Sequence, residues 1–90
     1  MSKAVQTTNH DEIRHWIEER GGHPARVKAA AGEGGLLRVD FGRPEEALEE
    51  ISWENFFAVF DDNELSFLYQ EETDDGKTSR FNKFVARTRH

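Results

Sequence analysis

Cysteine is absent from all 90 residues. That excludes a disulfide framework, thiolate zinc sites, iron–sulfur clusters and cysteine nucleophiles. A fold without such staples rests on its core alone, and the cytoplasm is the default compartment for it. Long apolar runs are missing too. None approaches the ~18 residues that cross a bilayer, so no membrane partner is expected. The opening stretch, MSKAVQTTN, lacks the apolar segment of a secretory leader and reads as a flexible arm over residues 1–8. Charge of one sign is missing from two stretches. From Pro44 to Gly76 there are twelve acidic residues and no Lys or Arg. From Lys77 to His90 there are five basic residues and no acid. The formal charge of −6 argues against generic nucleic-acid binding, but it hides this division.

What remains is enough for one small core. A chain of this length buries roughly 60–65% of its unfolded surface, and 36% of its residues are apolar, 11% aromatic. A single domain over residues 9–88, with a tail at 89–90, is the expected organisation. Asn9 followed by Glu12 is a capping-box pattern. Ile13, Trp16 and Ile17 then repeat at helical spacing until Gly21-Gly22 and Pro24 stop the helix. Ala25, Val27 and Ala29 alternate with basic residues, Gly32 to Gly35 supplies a turn, and Leu37, Val39 and Phe41 alternate again. Together they predict a hairpin with one face buried. Residues 44–51 fit either a helical turn or an extended segment.

Ser52 suits an N-cap, and Trp53, Phe56, Phe57 and Phe60 fall on one helical face. Leu65, Phe67 and Tyr69 then alternate as a strand. Asp74-Asp75-Gly76 is a hairpin turn leading to a last strand around RFNKFVART, where the three-residue spacing of Phe81 and Phe84 implies a bulge or partial cover on both faces. The expected fold class is α+β, in the order α-β-β-α-β-β, with two helices on one face of a four-stranded, mainly antiparallel sheet. Set 43 residues apart, the halves agree in outline. An old duplication and two αββ units obeying the same rules both account for that. The aromatics of residues 52–70 lie at spacings that assign them to the core.

Motifs for catalysis are lacking. His10 and His15 are five apart, about 140° around a helix, so they do not form an i, i+4 metal pair; His23 and His90 lie in a loop and at the terminus. The acidic pairs read as a solvated face, and neither DDNELS nor ETDDGK matches a calcium loop. The glycines at 32–35 lack the Lys-Ser/Thr of a phosphate loop. No catalytic, cofactor-binding or metal-ligating residue is assigned. The basic end, KTSRFNKFVARTRH, carries the one functional hint. Cations interleaved with Phe81 and Phe84 can follow a phosphate backbone while rings stack on bases, or they can pair with the acids that precede them.

HDEIRHWIEERGGHPA, ISWENFF, LSFLYQ and SRFNKFV together resemble a family of small single-domain bacterial proteins of unknown function, over about Thr8 to Arg87. Relatives sometimes carry the label of a 1,4-α-glucan branching enzyme, which length excludes: a barrel for that chemistry takes ~200 residues or more. The resemblance implies one compact domain and no catalytic residues. The leading expectation is a non-catalytic interaction or regulatory module with a protein partner, or one that weakly self-associates. The second is a weak nucleic-acid binder. The expected contact residues are Arg26, Lys28, Arg38, Arg80, Lys83 and Arg87, with the first three pointing outward from the first hairpin.

Overall fold

The computed structural model describes residues 3–27, 37–42 and 48–87. The described elements are β1 (Ala4–Thr7), α1 (His10–Glu19), β2 (His23–Val27), β3 (Leu37–Asp40), β4 (Leu48–Glu50), α2 (Trp53–Asp62), β5 (Leu65–Gln70) and β6 (Asn82–Ala86). The class is α+β, but the single four-stranded sheet expected from sequence is replaced by two antiparallel sheets of three strands. Their orders are β1-β5-β6 and β3-β2-β4. The two extra strands are those with the weakest local signal. β1 lies inside the stretch read as a flexible arm, and β4 inside the ambiguous stretch. Both are short edge strands held by backbone bonds to a partner far along the chain. No helix among the described residues is long and apolar enough to cross a membrane.

Both helices form where caps and spacing place them. The Asn9 side chain accepts from Glu12 N at 2.9 Å, and the Ser52 hydroxyl accepts from Asn55 N at 3.1 Å. The capping box on α1 is only half made. Glu12 does not reach back to Asn9 N, which donates instead to the Thr7 hydroxyl. Its carboxylate accepts from Thr7 Oγ1 at 3.1 Å and from the Tyr69 hydroxyl at 2.5 Å, tying α1 to β1 and β5.

The 43-residue offset extends well beyond composition. It relates Asn9 to Ser52, both ten-residue helices, and Gly21 to Glu64, which follow the two C-caps with φ of +70° and +51°. Each half is a β-α-β-β unit, and the halves exchange their first strands. β1 pairs with β5 of the second half, and β4 pairs with β2 of the first. The exchange binds the halves through two backbone ladders as well as a shared core.

That core is Ile13, Trp16 and Ile17 from α1, Phe56 and Phe60 from α2, Leu37 from β3, and Phe67 and Tyr69 from β5. The helical stripes therefore bury as their spacing requires. Trp53 and Phe57, expected inside with Phe56 and Phe60, sit half-buried at the margin. Phe84 packs against the core, whereas Phe81 is 48% exposed. The second hairpin turns at the predicted Asp74-Asp75-Gly76, with Gly76 at φ +82°. The turn of the first hairpin, at 32–35, lies outside the described residues.

The first hairpin corrects the expected facing. Its register sets Arg26 opposite Leu37 and Arg38 opposite Ala25, so Arg26 and Arg38 leave opposite faces of the sheet. β2 is the central strand of its sheet, and Pro24 and Ala25, consecutive residues, are both buried. Alternation with one dry face does not apply to a strand covered on both sides.

Gly22 marks where α1 closes onto this sheet. A Cβ there would lie 2.9 Å from Ile17 Cγ2 and 3.0 Å from Val39 Cγ1. Gly22→Ala is expected to cost about 1–3 kcal/mol through forced repacking, read as a lowered thermal midpoint. A variant that melts with the parent would show that Ile17 and Val39 yield freely.

Candidate interaction surface

The six basic residues expected to form a contact surface divide by their partners. Arg26 Nε lies 2.6 Å from Glu49 Oε1, across the β2–β4 ladder. Arg87 donates to Asp61 at 2.8 Å and to the Leu65 carbonyl at 2.7 Å. Both are engaged inside the fold. Lys28 lies outside the described residues. Arg38, Arg80 and Lys83 make no ion pair among the described residues. Arg38 donates only to its neighbour's carbonyl, and Arg80 lies over the Phe41 ring at 5.7 Å.

Arg38 and Lys83 lie along one seam, and Arg80 reaches Phe41, which follows β3. Leu37, Arg38 and Val39 of β3 and Asn82, Lys83 and Phe84 of β6 line a single groove of about 550 Å³, with Asn63 and Leu65 completing its wall. Arg80 precedes β6 and Phe41 follows β3, so their contact sets the start of β6 near the end of β3. Among the described residues each strand pairs on one side only, β3 with β2 and β6 with β5. The groove is therefore lined by an outer strand of each sheet. Two cations, Arg38 and Lys83, line it from opposite walls. Like charges facing each other oppose closure of one strand onto the other.

A second cavity, about 430 Å³, opens between α1 and α2. His10 stacks on Phe57 at 4.1 Å, Phe57 stacks on Trp53 at 5.6 Å, and the Arg14 guanidinium lies 5.5 Å from the Trp53 ring. The i, i+4 pair His10/Arg14 of one helix thus brackets the i, i+4 pair Trp53/Phe57 of the other. His10 Nε2 also meets Asp61 at 3.0 Å, and Asp61 meets Arg87. Partial burial pushes the Asp61 carboxyl up, but its bonds to His10 and Arg87 outweigh that and hold it below the usual carboxylate value. This arrangement is a clasp between helices and the chain's end. The imidazole's only hydrogen-bond partner among the described residues is Asp61, so no nucleophile stands beside it. Nor, among the described residues, do three His, Asp or Glu side chains converge as metal ligands would.

Sequence reasoning overlooked Arg20. Its side chain is 4% exposed and donates to three backbone carbonyls: Ser79 at 2.6 Å, Trp16 at 3.0 Å and Glu71 at 3.0 Å. The guanidinium lies over the Trp16 ring at 4.3 Å. The available signal was positional. A cation just past an acid-rich helix end, four residues after Trp, suits the helix dipole and can return to the Trp16 carbonyl. Arg20 thereby fixes the β5–β6 connection, which leads into Arg80 and β6.

Tyr69 is held by the same first turn of α1. Burial, then its bond to the Glu12 carboxylate, pushes the phenol up to about 12. The folded value lies above the ordinary ~10, so this contribution to stability is present below pH ~10 and lost as pH rises through about 12. Tyr69 is the only tyrosine, so ultraviolet titration of the phenolate reports it alone. Glu12→Gln should move the midpoint down, and an unchanged midpoint would remove Glu12 as a cause.

No protein-family model, curated protein or solved structure matches this chain.

Proposed function

We propose that this chain is a non-catalytic protein-interaction module that engages its partner at the β3–β6 seam. One observation carries this reading. Two outer strands, each paired on one side only among the described residues, line a common groove that is apolar at Leu37, Val39, Leu65 and Phe84, beside cations that no described acid neutralises. An unpaired edge offers backbone donors and acceptors to an incoming chain, and apolar side chains beneath it supply area to bury. The net charge of −6 and the internal pairing of Arg26 and Arg87 favour a protein over a polyanion.

A second reading, weak nucleic-acid binding, is favoured by Phe81, which is 48% exposed and stands between Arg80 and Lys83. An exposed ring flanked by cations can stack on a base.

Backbone amide NMR separates the two. The protein is titrated with a short mixed-sequence single-stranded DNA and its RNA counterpart, at low and moderate salt, and in parallel with a peptide that alternates Glu and Val. The module reading expects the peptide to shift residues of β3 and β6 while the nucleic acids leave them in place. Shifts by nucleic acid at Arg80, Phe81 and Lys83 that fade steeply with salt would replace it with the second reading. Shifts that depend on protein concentration alone would identify a second copy of the chain as the partner.

A further inference from the structure

We propose that the seam takes a strand: an extended partner segment of alternating apolar and acidic residues enters the groove and pairs its backbone with β3 and β6. This rests on the interaction-module reading above and specifies the partner's conformation and chemistry.

The backbone argument comes from topology. β3 and β6 are outer strands of separate sheets, the start of β6 lies near the end of β3, and they line one groove instead of pairing with each other. A segment seated between them would join the sheets in the order β1-β5-β6-segment-β3-β2-β4. Its two edges would each find an unpaired edge. β3 has four residues and β6 five, which matches a segment of four or five residues, ~13–17 Å long at ~3.3 Å per residue.

The side-chain argument comes from the lining. Leu37 is buried, and Val39, Leu65 and Phe84 are half-buried. Arg38 and Lys83 are exposed, and each is flanked along its strand by residues of the opposite facing. An incoming strand with the same period of two would turn apolar residues toward Leu37, Leu65 and Phe84. Its alternate positions would face Arg38 and Lys83, and a carboxylate there relieves the repulsion between these cations. A basic segment would add to that repulsion, and a fully polar one would leave the apolar side chains without contact.

The test uses the full chain and synthetic probes, with amide NMR and calorimetry as readouts. An alternating Glu–Val heptapeptide is expected to shift the amides of Leu37–Val39 and Asn82–Phe84. Its Gln–Val counterpart should bind about three- to tenfold more weakly, the range of one or two exposed ion pairs. N-methylation of every peptide nitrogen should abolish binding, because it removes the ladder donors to both neighbouring strands and keeps the side chains. The exposed-site double variant Arg38→Glu/Lys83→Glu should prefer a Lys–Val heptapeptide. Equal binding of the N-methylated peptide would overturn strand addition. Shifts confined to β1 or β4 would overturn the choice of groove while leaving an interaction module. Silence toward every peptide, with shifts caused by single-stranded DNA, would overturn both readings.

Discussion

Arg20→Met is expected to lower stability by about 3–5 kcal/mol, the usual cost of removing one partner from a buried charged network. The side chain is only 4% exposed, and its three acceptors are the backbone carbonyls of Trp16, Glu71 and Ser79. Met fills much of the apolar volume over Trp16 but returns no donor. The Trp16 and Ser79 carbonyls are part-buried, and each left without its donor costs up to ~1–3 kcal/mol, whereas the exposed Glu71 carbonyl turns to water. Two carboxylates, from Glu19 at 3.7 Å and Glu71 at 3.6 Å, would also lose the guanidinium beside them, a smaller effect because both are half-exposed. For a domain of this size 3 kcal/mol corresponds to a fall in melting temperature of at least ~12 °C. Arg20→Lys should recover little, since an ammonium cannot present the same planar fork to three separated carbonyls. Circular-dichroism melts measure the total. Amide exchange at Ser79 and Phe81 tests the location, because Ser79 also accepts from Phe81 N and bonds Gln70 through its hydroxyl. A variant that melts within a few degrees of the parent would show that the β5–β6 connection is held without the guanidinium. The seam's β6 wall would then owe nothing to α1.

Phe60→Ala is expected to cost about 3–5 kcal/mol. Phe60 is completely buried, and its ring meets Phe57 and Phe84 edge-on and lies 5.5 Å from the Arg87 guanidinium. Truncation leaves a void bordered by α2, β6 and the ring of His10, which also approaches edge-on. Elements tied by backbone ladders and by two caps cannot collapse far into it. The loss is a large share of the ~5–15 kcal/mol that stabilises a typical domain, so a fraction of the variant should be unfolded at room temperature. Phe60→Leu keeps most of the apolar volume and should recover more than half. Denaturant titration of the three proteins gives the differences directly. Equal midpoints for Phe60→Ala and parent would contradict the burial of α2 described above.

The two variants separate what local sequence encodes from what it does not. Phe60 was legible. Its position on a four-residue aromatic stripe after Ser52 is enough to assign it inward, and its helix begins and ends where the caps predict. Arg20 was not, because nothing within several residues of it shows that Glu71 and Ser79 bring their carbonyls alongside. The same distinction covers the candidate surface. That the last strand is basic could be read directly. That Arg87 turns to Asp61 and Arg26 to Glu49, leaving Arg38 and Lys83 on one groove, depends on registers between strands far apart in the chain.

By itself, then, the sequence determined both helices and their caps, the hairpin turn at Asp74-Asp75-Gly76, most of the core and the absence of cysteine chemistry. These follow from side-chain periodicity and backbone preferences that act over a few residues. Tertiary structure alone decided that Ala4–Thr7 and Leu48–Glu50 are strands, that the halves exchange them, and that outer strands of both sheets line one groove. A short edge strand is held by main-chain hydrogen bonds, which every residue but proline can make. Its identity therefore resides in the partner that reaches it and leaves little mark on its own side chains.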